Sequence, residues 1–265
     1  INKGQNNDVF IINEKYIFRF PKYQNGIDSL LTEVELLKRI NTHVTLDIPK
    51  PLFYSLDIKE VGSTFVGYKM IKGKALWRQR FIDIKDKNKI AEQLAKFLYE
   101  LHSKEVKMKA NGLISESDIY SKWLNLYKRI KEKLFIYMRD DAKRKVENKF
   151  KKFLSDFKND FDCVFVHGDF GPSNILFDEK KEIISGIIDF GESHIGDPAG
   201  DFASLIGPFG YGEDFILKFK KIYPKVDKYI KRAKFYASTF ALQEALFGLE
   251  NDDEKAFING IKQYK

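Results

Sequence analysis

His167-Gly168-Asp169-Phe170-Gly171-Pro172-Ser173-Asn174 is the stretch on which the reading of this chain turns. It follows the apolar run Cys163-Val164-Phe165-Val166, and its glycines and proline make it a loop held between rigid flanks. Beyond it, residues 174–177 and 183–188 alternate and cluster as two strands of a hairpin across Asp178-Glu179-Lys180-Lys181. The second strand ends in Ile187-Ile188-Asp189-Phe190-Gly191. Helical periodicity returns over residues 201–206, 214–223, 227–249 and 253–264. Upstream, residues 84–103 carry Ile90, Leu94, Phe97, Leu98 and Leu101 on one face, and residues 118–133 and 140–157 are charged amphipathic helices.

The first part of the chain reads differently. Residues 9–12 and 16–20 are short β-branched and aromatic runs around the turn Asn13-Glu14-Lys15, with a further turn at residues 4–8. Residues 28–40 have helical spacing, Pro49 and Pro51 break the chain, and residues 61–71 are strand-like. The expected architecture is α+β and bilobal. A small β-rich lobe spans residues 1–71, a mostly helical lobe spans residues 72–265, and a hinge lies near Met70-Ile71-Lys72-Gly73.

Phosphoryl transfer to a hydroxyl asks for few protein groups. A carboxylate must orient the attacking hydroxyl and take its proton, and a carboxylate and an amide oxygen must hold magnesium against the nucleotide phosphates. Asp169 fits the first role, and Asn174 and Asp189 fit the second. The step from Asp169 to Asn174 is that of H-R-D-x-x-x-x-N in protein kinases, and Asp189-Phe190-Gly191 matches D-F-G. A lone D-F-G arises by chance. Loop, hairpin and D-F-G in this order, behind a β-rich lobe and a helix, form a constellation that implies a kinase-like fold. His167 is expected to brace the loop by hydrogen bonding, while His43 and His102 read as surface or capping residues.

Bulk properties exclude several classes. The chain has 265 residues, 43% of them hydrophobic, enough for a full core. No apolar run is long enough to span a bilayer and no signal peptide is visible. The net charge of +8 comes from lysines mixed with acids along helices, without a basic tract suited to nucleic acid. Cys163 is the only cysteine, so no internal disulfide forms, which fits a reducing cytoplasm and a buried strand position for the thiol.

With these motifs in hand the chain resembles the aminoglycoside phosphotransferase family. H-G-D-x-x-x-x-N at residues 167–174, I-D-F-G at 188–191, and Gly196-Asp197-Pro198-Ala199-Gly200-Asp201-Phe202 carry the resemblance, which covers essentially the whole chain. Tyr16-Ile17-Phe18-Arg19-Phe20-Pro21-Lys22, followed by Glu33-Val34-Glu35-Leu36-Leu37-Lys38-Arg39-Ile40, looks like the 2''-phosphotransferase branch. The resemblance implies a monomeric kinase that moves the γ-phosphoryl group of ATP or GTP, with Mg2+, to an antibiotic hydroxyl. Macrolide, choline and homoserine kinases share the fold-level motifs, so a macrolide or small-metabolite acceptor stays open, as does a nucleotide-binding module without turnover.

The family pattern implies further roles. Arg19 stands where many kinases have a phosphate-holding lysine, with Lys22 as the reserve, and Glu33 is its helix partner, Glu35 lying on another face. Gly4 belongs to the phosphate-covering turn, and the backbone of Lys69 and Ile71 would meet the purine edge. More chain is expected before Ile1. Asp197 and Asp201 suit capping chemistry, with Asp201 the stronger candidate for bracing the fold and Asp197 a candidate for the substrate. Glu192, beside Asp189, and Glu244, a charge in an apolar stretch that calls for a partner or a ligand, are expected to attract ammonium groups. Glu250, Asp252, Asp253 and Glu254 read as a solvated helix start.

Overall fold

The structure, a computed structural model, describes the backbone of residues 2 and 3 and all of residues 7–114, 116, 118–158 and 161–265. The phosphate-covering turn and Gly4 lie outside the described residues.

The first region is an antiparallel sheet with one helix on it. Strands β1 (Asn2–Lys3), β2 (Asn7–Ile12), β3 (Tyr16–Pro21), β4 (Pro51–Ser55) and β5 (Phe65–Lys69) lie in the order β1-β2-β3-β5-β4. Asn13 and Glu14 take positive φ, so the β2–β3 turn is tight and fixes Val9 opposite Arg19 and Phe10 opposite Phe18. Arg19 is in turn opposite Val66 on β5. Helix α1 (Gln24–Ile40) packs Leu30 and Val34 against Val66 and Tyr68, with Ile17 beside them. The apolar stripe of α1 carries Glu33 inward with it, because Glu33 shares a face with Leu30 and Leu37. The helix starts four residues before the periodicity alone suggests, since Gln24 and Asn25 carry no apolar marker. Pro51 opens a strand instead of only breaking the chain. As β4 it sits at the sheet edge, where a missing N–H is tolerated.

The rest of the chain is largely helical. Helix α2 (Arg78–Ile82) follows the short β6 (Lys74–Ala75). Helices α3 (Lys87–Leu101), α4 (Lys104–Ala110), α5 (Ile119–Lys133) and α6 (Asp140–Asp156) come next. Asp86, Ser103 and Asp118 cap α3, α4 and α5 by accepting from backbone N–H groups. Ile90, Leu94, Phe97, Leu98 and Leu101 of α3 are all fully buried, as their spacing requires. Three short strands follow: β7 (Val164–Val166), β8 (Ile175–Asp178) and β9 (Ile183–Ile187). β8 and β9 form the hairpin, β6 adds to its edge, and β10 (His194–Gly196) pairs antiparallel with β7. Helices α7 (Ala199–Ile206), α8 (Glu213–Leu217), α9 (Val226–Glu250) and α10 (Glu254–Ile261) complete the chain. The stretch expected as one helix at 214–223 is α8 followed by a 3-10 turn at Lys218–Lys221. Close packing of α10 on α9 depends on Gly260, where a Cβ would lie 2.3 Å from the backbone nitrogen of Ala245. One continuous core runs from Leu36 to Ile261 through α3, α7 and α9. The α+β, kinase-like class expected from the sequence is the one found.

Candidate active site

Two strand ends aim the site. The loop at 167–174 connects β7 to β8, and Asp189 follows β9, so both segments emerge on one side of the small sheets. Gly168 takes φ +84°, and a Cβ there would lie 2.2 Å from the carbonyl oxygen of Glu192. The loop can turn past Glu192 only with glycine at this position. Asn174 Nδ2 donates to the Asp169 carbonyl at 2.9 Å and to Asp169 Oδ2 at 2.8 Å. The Asn174 amide oxygen therefore points away from that pair, as a metal ligand would need. Asp189 adopts φ +67°, an uncommon backbone state for a residue with a Cβ, and its side chain is 56% exposed toward the cleft.

Arg19 closes the other wall. Its Nη1 lies 2.7 Å from Glu33 Oε1, and its Nη2 lies 3.7 Å from Asp189 Oδ1. Both Arg19 and Glu33 are withdrawn from solvent, at 11% and 4% side-chain exposure. Burial opposes the Arg19 charge, but Glu33, Tyr68 and Asp189 outweigh it and hold the guanidinium above its ordinary value. Lys22 instead stands 3.8 Å from Asp8, and Glu35 pairs with Arg39 on the outer face of α1. Tyr68 is a participant that the sequence did not single out. Burial pushes its hydroxyl up to about 12.

A polar cleft of about 460 Å³ joins Arg19, Glu33, Asp169, Asp189 and Glu192, with Asn7, Tyr23 and Ser29 on its outer wall. Burial raises the Asp169 carboxyl above its ordinary range, with Asp189 and Asp201 adding to the effect and Asn174 and His167 opposing it. A raised carboxyl suits a proton acceptor. Among the described residues no group of three or more His, Cys, Asp or Glu forms a protein-only metal cage. A magnesium site of one carboxylate and one amide oxygen, completed by phosphates and water, fits these residues better than a cage would.

Behind the loop lies a buried brace. Asp201 accepts from the backbone N–H of His167 and Gly168, both at 2.9 Å, and from His102 Nε2 at 3.0 Å. Burial works against the Asp201 charge, yet these hydrogen bonds and the neighbouring histidines hold its carboxyl below the ordinary range. His102 does cap the end of α3, but it is no surface residue, since it is buried and its Nδ1 lies 3.1 Å from the Tyr223 hydroxyl. Nothing in the local sequence marks it, because its partners lie 99 and 121 residues away. His167 accepts from Asp169 N at 3.3 Å through Nδ1, which leaves Nε2 to donate to the Ile188 carbonyl at 3.1 Å. One imidazole thereby ties the loop to the strand before Asp189.

The remaining residues separate. Asp197 does not face the cleft with free oxygens. Arg232 donates to it twice, at 2.6 and 2.8 Å, Tyr236 once at 2.6 Å, and the backbone of Ala199 at 3.1 Å. Both oxygens are committed, so Asp197 anchors α9 to the start of α7. Glu244 lies on the exposed face of α9 and makes no ion pair among the described residues, so the apolar stretch around it does not bury it. Glu250 bridges Arg129 and Lys133, and Asp253 caps α10. Lys69 ends β5 opposite Tyr16, and Ile71 lies over Gly186.

Next to Gly168 a second pocket of about 320 Å³ opens between α5, α7 and α9. Ile119, Trp123, Leu126 and Phe240 make it apolar, with Lys122, His194 and Gln243 at its edges. Trp123 stacks on Tyr236 at 4.2 Å between ring centroids, so the pocket floor is rigid.

Residues 1–230 match the phosphotransferase enzyme family (APH), and the chain belongs to that family. Viomycin phosphotransferase of Streptomyces vinaceus is 28% identical over 179 residues, covering 66% of this chain and 61% of that protein. The aligned stretch thus spans under two thirds of that relative's length. Among solved structures, the GDP complex of wild-type aminoglycoside 2'-phosphotransferase-IIIa superposes with a TM-score of 0.88 at 25% identity, covering 99% of this chain and 89% of that one. The GDP and kanamycin complex of an APH(2") enzyme gives 0.89 at 25% identity, with 100% and 90% covered. A type I macrolide 2'-phosphotransferase, at 18% identity and a TM-score of 0.73 over 97% and 90%, shares the fold.

Proposed function

We propose that this chain transfers the γ-phosphoryl group of ATP or GTP to a hydroxyl of an aminoglycoside, in the 2''-phosphotransferase manner, and so confers resistance to it. The single observation that carries the reading is the convergence of Asp169 and Asp189 on the cleft that Arg19 and Glu33 close, with Asn174 hydrogen-bonded to Asp169. Asp169 orients the acceptor hydroxyl and takes its proton. Asn174 and Asp189 would hold Mg2+, which when bound neutralises phosphate charge. Arg19, positioned by Glu33, steadies the phosphates, and the backbone of Lys69 and Ile71 meets the base. His167 and Asp201 keep the loop in place. Residues 1–71 act as the nucleotide lobe and residues 72–265 as the catalytic and acceptor lobe, in a cytoplasmic monomer. Glu192, at the cleft between nucleotide and acceptor, draws ammonium groups toward Asp169, and Trp123 and Phe240 take the face of a sugar ring. The full-length likeness to the kanamycin complex supports this acceptor.

One observation favours a second reading. The acceptor pocket is apolar, and its one carboxylate, Asp197, is neutralised by Arg232. A macrolide or a small metabolite of low charge would suit it on desolvation grounds. Phosphate transfer from ATP and from GTP, assayed against aminoglycosides, macrolides and choline, separates the two. Turnover of aminoglycosides alone supports the first reading, and turnover of macrolides or choline alone replaces it. Failure of every acceptor, with nucleotide still bound, would leave a binding module.

A further inference from the structure

A third cavity, of about 700 Å³, shares only Phe240 with the pocket beside Gly168 and has no lining residue in common with the cleft of Asp169 and Asp189. Its floor is apolar: Val146 and Phe150 from α6, with Phe235, Phe240 and Leu242 from α9. Its rim is cationic. Lys145, Lys149 and Lys152 recur at helical spacing along one edge of α6, and Arg139 stands just before that helix. No Asp or Glu lines the cavity. Among the described residues Lys149 makes no ion pair, while Arg139 and Lys145 share Asp141 and Lys152 pairs with Asp156, all exposed. Such surface pairs are weak and re-form readily around a new anion.

Apolar depth beneath a one-signed rim selects a ligand with both characters. A multiply charged acceptor or a bare phosphate would leave the aromatic floor unused, and a cationic amphiphile would meet the charge of Lys149 among its paired cationic neighbours. We propose that this groove is a binding site for an amphipathic carboxylate, a soluble acyl or aryl acid whose apolar body lies on Phe150, Phe235 and Phe240 and whose carboxylate meets Lys145 and Lys149. The site is separate from the catalytic cleft, and the proposal does not depend on the identity of the acceptor. The two sites share α9. Tyr236, next to Phe235, holds Asp197 and stacks on Trp123 in the acceptor pocket. Occupancy of the groove is therefore felt by the Trp123 ring, which also meets Phe235 edge-on at 5.3 Å.

The test uses the full chain and three probes kept below their micellar range: decanoate, decylammonium and acetate. Isothermal titration measures binding, and Trp123 emission reports it at the predicted place, with Trp123→Phe as the control for Trp77. Decanoate is expected to bind saturably, decylammonium at least tenfold more weakly, and acetate not at all. The double variant Lys145→Glu and Lys149→Glu changes only exposed side chains, so its thermal midpoint should stay near that of the parent while the order of decanoate and decylammonium reverses. Absence of saturable decanoate binding would overturn the proposal. So would equal affinity for both amphiphiles, or decanoate binding that survives the charge reversal in a folded variant.

Discussion

Asp169 and Asp189 stand at the front of the catalytic loop, and Asp197 and Asp201 stand behind it. All four come from one short span of chain, yet they live in opposite surroundings. The front pair is under-satisfied. Asp169 has one side-chain donor, Asn174, and burial raises its carboxyl, while Asp189 sits at positive φ with its carboxylate open to the cleft. The rear pair is saturated. Asp197 takes four donors and Asp201 three, and the Asp201 carboxyl is held low. The difference teaches which aspartates the fold consumes and which it leaves for chemistry. A carboxylate whose oxygens are all bonded can organise backbone but has nothing left to offer a ligand.

The comparison can be broken from either side. The largest expected effect is on turnover. Asp169→Asn should lower kcat by about 10²–10⁴-fold, the usual worth of a positioned base, with the thermal midpoint and nucleotide affinity nearly unchanged. Near-normal turnover in that variant would remove Asp169 from the chemistry. Asp197→Ala should do the reverse of a catalytic lesion. It removes the carboxylate that the buried Arg232 guanidinium meets in the core, at a cost of about 3–5 kcal/mol in denaturant unfolding. A fully stable Asp197→Ala protein would mean that the rear pair is not the brace described.

Arg19→Lys keeps the charge but cannot reach Glu33 and Asp189 together. The nucleotide KM should rise roughly fivefold, about 1 kcal/mol, with kcat less affected.

The pH dependence sharpens the contrast further, because Asp169 and Asp201 shift in opposite directions. Asp169 must be ionised to act, so the acid limb of kcat/KM should lie above the ordinary Asp value of about 3.9. A limb at or below that value would contradict its raised carboxyl. For stability the signs are reversed between these two carboxyls. The depressed carboxyl of Asp201 contributes fully above about pH 3.9 and loses its contribution as pH falls through its lower folded value. The raised carboxyl of Asp169 favours the fold below about pH 3.9, and that advantage fades as pH rises through its higher folded value. Asp201→Asn should therefore flatten the acid loss of stability, read from denaturant midpoints across the acid range, and Asp169→Asn should not. The smallest effect is expected at Glu192. Its exposed carboxylate should change acceptor KM by severalfold in Glu192→Gln, and only for a cationic acceptor, which separates the two acceptor readings.

Much of this was legible along the chain because the relevant groups are local. The Asp169-to-Asn174 spacing, the strand before it and the D-F-G after the hairpin lie within a few residues of their partners, and the structure brings Asp169 and Asp189 to one cleft with Asn174 bonded to Asp169. Glu33 could be matched to Arg19 because helical spacing puts Glu33, and not Glu35, on the buried face of α1. The misreadings share a cause. Asp197 looked available because Arg232 and Tyr236 lie 35 and 39 residues away, and His102 looked ordinary because Asp201 and Tyr223 are farther still. Glu244 looked buried because its neighbours in sequence are apolar, although a helix gives adjacent residues different faces. The strand β4 was hidden by Pro51, whose tolerance depends on the sheet edge where it lies.

By itself, then, the sequence determined the order of the elements and the motifs at 167–174 and 188–191 that mark the phosphotransferase family, since each follows from spacing of a few residues or from helical and strand periodicity. Only the tertiary structure decided which carboxylates are spent on the fold, that Arg19 and not Lys22 faces Glu33, and that the pocket beside Gly168 is walled by Trp123 and Phe240. Those outcomes depend on packing between distant segments, and neither period nor spacing carries that information.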